Sequence, residues 1–290
     1  MENKIYSKLI MIIGGLFMST ASVAGEFVKT IPIKDKAELT IFMRAGDVKV
    51  VGWDKNQVKI ESEKDLTPGL QVNGDKVRIN SKMDKGRSGG QDADTTLHVP
   101  KSTRLTVTVI SGNLEIENIS DRAKATSVSG DIKIRSCSGL LAVKAVSGDV
   151  ELIGIKKDIA VQTVSGDLKG RDIKGDLIEI QTVSGEVFLN NLEASQVRLK
   201  TVSGDLKIQG AFPAESSIKI STVSGDATLY LKPTAGFDVS LATRSGDFHS
   251  EFNLSEREGS QQKLNAKVGS GGTEITMTSL SGDLNIKKSD

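Results

Sequence analysis

The chain has 290 residues, with 38 Lys and Arg against 37 Asp and Glu, a formal net charge of +1, and a single cysteine. That balance argues against a nucleic-acid partner, which selects a basic face able to neutralise phosphates, and one cysteine excludes an internal disulfide framework. Eight Phe, two Tyr and one Trp leave few platforms on which bases or sugar rings would stack.

The first element has the form of a secretory signal peptide over residues 1–24. Lys4 and Lys8 precede an apolar run from Leu9 to Met18, and the small residues Ser22 and Ala24 suit positions −3 and −1 of a cleavage site. A run of ten is too short for a bilayer, which needs about twenty apolar residues. No cysteine stands at the cleavage site to carry a lipid, and no later segment is apolar enough to span a membrane. Cleavage takes Lys4 and Lys8 from the basic residues and Glu2 from the acidic ones, leaving 36 of each.

Residues 25–104 read as irregular N-terminal β rungs. Ala45-Gly46-Asp47-Val48 has the shape of a motif that later becomes serial, and short strands are expected at 58–61, 70–72 and 77–79. Residues 83–94 have almost no apolar content and read as a mobile loop.

From residue 105 to residue 290 the chain is a regular repeat. Ser-Gly-Asp, or a near copy, starts at Ser111, Ser129, Ser147, Ser165, Ser184, Ser203, Ser224, Ser245 and Ser281, with steps of 18 to 21 residues and a final step of 36. Counting each motif serine as zero, position −6 holds Leu105, Leu141, Ile159, Ile178 and Val197, and position −4 holds Val107, Val143, Val161, Ile180 and Leu199. Polar or small residues separate the two columns, which is the period of a strand with one buried face. Position +3 is apolar again, from Leu114 and Ile132 to Leu206 and Leu284. The parity changes between −4 and +3, so each rung contains two short strands that meet near the motif.

Rungs of this kind cannot bury their own apolar faces and must stack. The predicted fold is all-β: a single-stranded parallel β-helix or β-solenoid with about 18–21 residues per rung. Right-handed winding is expected from the handedness of parallel crossovers; a left-handed hexapeptide helix fits poorly because the apolar columns do not recur every six residues. Val183 and Leu206 are expected inside, and a second turn is expected around Gly139, Gly154, Gly175, Asn190-Asn191 and Gly210. Residues 251–274 interrupt the double interval and read as an irregular rung or hairpin protecting the C-terminal edge.

The motif itself is the main candidate for chemistry. Glycine supplies a bend that other residues resist, while serine and aspartate bond nearby backbone. A structural turn role is therefore assigned to Ser129-Gly130-Asp131, Ser147-Gly148-Asp149, Ser165-Gly166-Asp167 and Ser203-Gly204-Asp205, with Lys133, Lys169 and Lys207 balancing the acids. Calcium at Asp131, Asp149, Asp167 and Asp205 is the competing reading, because stacked carboxylates repel and calcium takes oxygen ligands. The sequence lacks the Gly-Gly-x-Gly-x-Asp pattern of calcium-binding solenoids. Cys137 aligns with Ile119, Ile155, Ile173 and Leu192, eight residues after the motif serine, and is read as a core residue. His98 and His249 stand in no nucleophile or metal motif, so no catalytic residue, no cofactor and no firm metal site is assigned. Lys124, Lys144, Arg198, Lys200 and Lys219 occupy outward positions and make a basic stripe suited to anionic envelope polymers.

Gly46-Asp47-Val48, then Gly52-Trp53-Asp54, Leu97-His98-Val99-Pro100 and the serial Val-Ser-Gly-Asp repeats together resemble the bacterial β-strand-repeat family of candidate adhesins, whose domain is one of unknown function. The resemblance covers nearly all of the chain after residue 24. It implies a β-solenoid in or outside the cell envelope, and it supplies no catalytic residues. The expected function is an exported, non-enzymatic surface that binds an envelope polymer or envelope protein, in the periplasm or at the cell surface. An envelope-stress sensor binding a peptide or membrane protein is the alternative, with a polysaccharide-active enzyme behind it.

Overall fold

The computed structural model of the chain describes residues 9–13, 16–23, 26–34, 36–81, 93–260 and 262–289. Strands make up most of the described residues, and the one helical element among them is the three-residue 3-10 turn Thr67–Gly69. The fold is a parallel β-solenoid, which divides into two compact units, residues 1–139 and 140–290. The loop expected at 83–94 falls outside the described residues except at Ala93 and Asp94, as does the cleavage-site residue Ala24.

In the first unit, Arg104–Ser111 is flanked by two parallel neighbours, Glu38–Ala45 and Ala123–Ser129. The register sets Leu39, Leu105 and Ala123 in one column and Ile41, Val107 and Ala125 in the next, so the apolar columns of the sequence are physical stacks. A second ladder runs in parallel through Thr95–Pro100, Val48–Trp53, Leu114–Glu117 and Ile132–Arg135. The parallel run of each ladder gives way to an antiparallel strand: Leu70–Asn73 beside Lys76–Asn80 in the first, and Gln57–Ser62 beside Thr95–Pro100 in the second. Reversing the strand direction there breaks the repeat that would otherwise present a template for another chain. Glu26–Pro32 continues the second ladder beyond Gln57–Ser62, and the apolar segments Leu9–Ile13 and Leu16–Val23 pair antiparallel before it.

Stacking does not follow chain order at the solenoid ends. The rung formed by Lys76–Asn80 and Thr95–Pro100 lies outside the earlier rung formed by Glu38–Ala45 and Val48–Trp53. In the second unit the same inversion occurs: Thr273–Ser281 is inserted between Ser217–Ser224 and Phe237–Ser245. The double step of 36 residues thus contains a hairpin, Ser255–Gly259 with Lys263–Val268, whose second strand covers Phe237–Ser245 antiparallel. The final rung slides in underneath.

The second bend falls seven residues after the motif serine, at Asn118, Ser136, Gly154, Asp172 and Asn191, with φ from 53° to 65°. The expected turn is therefore met at Gly154 and Asn191, whereas in the rungs of Gly139 and Gly175 the left-handed residue is Ser136 and Asp172 instead. Short polar side chains tolerate this conformation almost as glycine does, which hid the column from a search for glycine. The next column, at +8, is buried. Cys137 is 2% exposed there, and burial pushes its thiol pKa up, away from the reactive thiolate.

On the outside of the first unit, Lys49 and Arg135 converge on Glu115 and Glu117. Lys49 Nζ donates to Glu115 Oε2 at 2.9 Å, and Arg135 pairs with both carboxylates. The hydrogen bond from Lys49, only partly opposed by burial, holds Glu115 below the usual carboxylate range. A lowered folded-state pKa adds stability above the unfolded-state value of about 4.3 and loses it as the pH falls through the folded value. Glu115→Gln is therefore expected to flatten the acid limb of the stability curve and leave alkaline behaviour nearly unchanged. The effect is at most about 1 kcal/mol because the cluster is part-exposed; urea melts at pH 7 and pH 4 measure it.

Candidate binding surface

The Ser-Gly-Asp corner is built by a ladder of side chains that cap the neighbouring rung. In the second unit, Asp149 Oδ1 accepts the Asp167 N–H at 2.8 Å, Asp167 Oδ1 that of Glu186 at 2.9 Å, and Asp205 Oδ1 that of Asp226 at 3.0 Å. Asp226 and Asp283 carry the series through the inserted rung to Asp247. In the first unit, Asp94, Asp47 and Asn113 do the same for Asp47, Asn113 and Asp131. Each carboxylate thus faces a backbone dipole, which offsets the repulsion along the column. Among the described residues no group of three or more His, Cys, Asp or Glu is arranged to hold a metal ion. Calcium is accordingly expected to leave the melting temperature almost unmoved, whereas Asp167→Ala should lower stability by about 1 kcal/mol through loss of the bond to Glu186; thermal melts with and without calcium check both.

The glycine of the corner has a second duty. Gly166 has φ +114°, and a Cβ there would lie 2.2 Å from the Gly148 carbonyl oxygen of the rung beneath. Gly130, in the first unit, repeats the arrangement over Gly112. Ser147, Ser165 and Ser203 are exposed at the same corner.

The two residues before the serine reverse the expectation for Val183. Position −2 is the buried one, holding Thr163, Thr182, Thr201 and Thr222 in the second unit. Thr182 and Thr201 donate to the carbonyl oxygens of Ser184 and Ser203, at 3.3 and 3.2 Å. Position −1 faces outward: Val183 is 47% exposed, and Val146, Val164, Val202, Val223 and Leu280 lie between 42% and 49%. The strand simply keeps its period of two from −6 through −4 to −2, and turns only after the serine. Leu206, at +3, is 1% exposed, inside as expected. The signal was present in the sequence as a column of Thr, Ser or Ala at −2 in every repeat after the first, where Val109 stands, but the apolar Val at −1 was the stronger lure.

The proposed basic stripe is only partly brought together. Arg198 and Lys219 are register partners, with Lys200 two residues along the strand from Arg198. Lys144 shares the −3 column with Lys200, but Gln162 and Gln181 stand between them. Lys124 lies in the first unit beside Thr106. All five are exposed.

His98 stacks on Trp53 with ring centroids 5.1 Å apart and places Nε2 3.3 Å from Glu61 Oε2. Trp53 Nε1 donates to the Gln57 carbonyl at 2.9 Å. These contacts tie the Val48–Trp53, Gln57–Ser62 and Thr95–Pro100 strands together. His249 is exposed on Phe248–Ser250.

Stacked rungs, capped corners and an outward row of aliphatic side chains define a β-solenoid repeat protein. The chain belongs to the Toastrack DUF4097 family, a domain of unknown function, whose sequence profile matches residues 28–287. No curated protein matches it. Among solved structures it is similar to a candidate lipid-binding protein from Parabacteroides distasonis ATCC 8503, at 16% identity over 92% of this chain and 97% of that one with a TM-score of 0.45. A candidate adhesin from Bacteroides fragilis NCTC 9343 has 15% identity over 91% and 97%, with a TM-score of 0.44. A candidate cell adhesion protein from Clostridium sporogenes ATCC 15579 has 13% identity over 91% and 99%, with a TM-score of 0.23. No helix among the described residues is long and apolar enough to cross a membrane.

Proposed function

We propose that the protein is an exported, non-enzymatic scaffold that presents a rigid solenoid face to a component of the cell envelope, with residues 1–24 removed as a signal peptide and the remainder acting in the periplasm or at the cell surface. The observation that carries this reading is the outward face of the second unit. Its rungs are held in strict register by the glycine and aspartate ladders, and they display aliphatic and basic side chains in fixed columns. Such a surface is preorganised, so binding costs little ordering entropy. The exposed cluster Arg198, Lys200 and Lys219 fits an anionic envelope polymer or an acidic protein surface.

Co-sedimentation of the purified protein with separate peptidoglycan and membrane fractions tests the reading. Saturable binding to one fraction, weakened by the triple change of Arg198, Lys200 and Lys219 to Ala, is the expected result. Absence of binding to every fraction would overturn it. Mass spectrometry of the protein recovered from cells reads the N-terminus, and an intact residue 1 would overturn the assignment of residues 1–24.

A further inference from the structure

We infer that the aliphatic row of the second unit is a self-association surface, on which a second copy of this chain docks row against row. Val146, Val164, Val183, Val202, Val223 and Leu280 all stand at position −1, and the serine register on either side stacks them rung upon rung. The row stops at Arg244, in the last rung. Six half-exposed aliphatic side chains in an unbroken line are more than the isolated apolar residues of an ordinary surface.

Three features select a second copy as the occupant. The first is spacing. The row repeats at the inter-rung distance of about 4.8 Å, and a partner meshes along its whole length only if it has the same period, which another copy has by construction. The second is area. Six rungs at that spacing, with the columns from −5 to the serine, give a face of roughly 500 Å² per copy, so two copies bury about 1,000 Å², the area a specific interface needs.

The third is charge. The −3 column, on one side of the row, carries Lys144 and Lys200; the +2 column, on the other side, carries Asp149, Asp167, Glu186, Asp205 and Asp226. A two-fold axis parallel to the row sets each rung against the same rung of the other copy and exchanges the two sides. Lys144 then faces the region of Asp149 across the interface, and Lys200 that of Asp205, twice each by symmetry. The alternative axis, perpendicular to the row, opposes acid to acid. The parallel arrangement is therefore the one the charges allow.

Sedimentation equilibrium of the protein purified in its natural processed form tests the inference. A dimer at micromolar concentration is expected, and Val183→Lys with Val202→Lys should raise its dissociation constant by at least about tenfold with an unchanged β-type circular dichroism spectrum. A wild-type protein that stays monomeric at about 100 μM would overturn it, as would a dimer indifferent to the double substitution. Val146→Cys reports the arrangement. Residue 146 meets its own copy in the parallel form, so mild oxidation should give a covalent dimer. In the antiparallel form it lies opposite the far end of the row, and failure to cross-link while the dimer persists would overturn the axis assigned here. The buried Cys137 serves as the unreactive control in the wild type. Envelope co-sedimentation of the same double variant separates this inference from the scaffold reading. Retained binding by a monomeric variant would support both, whereas a wild-type monomer that loses envelope binding on substitution would assign the row to the envelope and overturn self-association alone.

Discussion

Leu206→Asp is expected to abolish the folded state, whereas Val183→Asp, the same chemical change at an equally aliphatic repeat position, is expected to leave it nearly intact. Leu206 is 1% exposed and stacks between Val187 and Ala227 in the second ladder of its unit. An aspartate there loses the burial of a leucine, about 2 kcal/mol or more, and places a carboxylate where no cation or donor awaits it. A group so placed takes up a proton or draws in water, at a further cost of several kcal/mol. The total approaches the stability of an ordinary domain. Val183, 47% exposed, lets the carboxylate remain in water, and surface changes of this kind usually fall within about 0.5 kcal/mol. Urea melts of the two variants side by side decide the matter, and equal destabilisation would contradict the outward placement of position −1.

Gly185→Ala is the second large effect. Gly185 has φ +122°, and an added Cβ would sit 2.2 Å from the carbonyl oxygen of Gly166 in the rung beneath. The backbone conformation alone costs a non-glycine residue about 1–3 kcal/mol. The contact cannot be relieved by moving a flexible side chain, because both partners are backbone. The rungs must separate or tilt, and Gly204 sits over Gly185 in the same way, so the distortion extends in both directions. A loss of at least about 3 kcal/mol is expected. The exposed solvent-side change Gly74→Ala is the control: its φ is also positive, at +58°, but nothing lies within 4 Å of the added Cβ. A thermal melt in which both variants fall equally would show that strain, and not rung spacing, selects glycine.

The apolar columns at −6, −4 and +3 were legible in the sequence because stacking repeats them in every rung, and repetition separates a buried position from a chance hydrophobe. The corner was legible as a turn for the same reason. What failed was local. At −2 the core holds small hydroxyl residues, and the hydroxyls of Thr182 and Thr201 reach the carbonyls of Ser184 and Ser203 in their own corners; at −1 the surface accepts valine because β-branched residues suit strands whether or not they are buried. Hydrophobicity alone therefore misassigned the pair. The bend at +7 was legible at Gly154 and Asn191 but not at Asn118, Ser136 and Asp172, because the column shares a conformation and no single residue type. Neither rung inversion has a local signature, since the inserted rung Thr273–Ser281 is as regular as its neighbours. For the surface, Arg198, Lys200 and Lys219 were legible as outward residues by parity, but only register shows that they are neighbours.

The inverted order in the second unit ties the placing of Phe237–Ser245 to a strand that comes later in the chain. Among the described residues Phe237–Ser245 finds its parallel neighbour only in Thr273–Ser281, and Ser217–Ser224 meets the same strand on its other edge. A chain that emerges from its amino end can zip its strands onto earlier ones through Ala227–Leu231, and must then wait. A chain ending at residue 272 is expected to lose protease resistance in Phe237–Ser250 as well as in the missing rung; protection of that segment would contradict the dependence. Thr273–Ser281 works as a keystone, so a chain that lacks it keeps a loose edge along Phe237–Ser245.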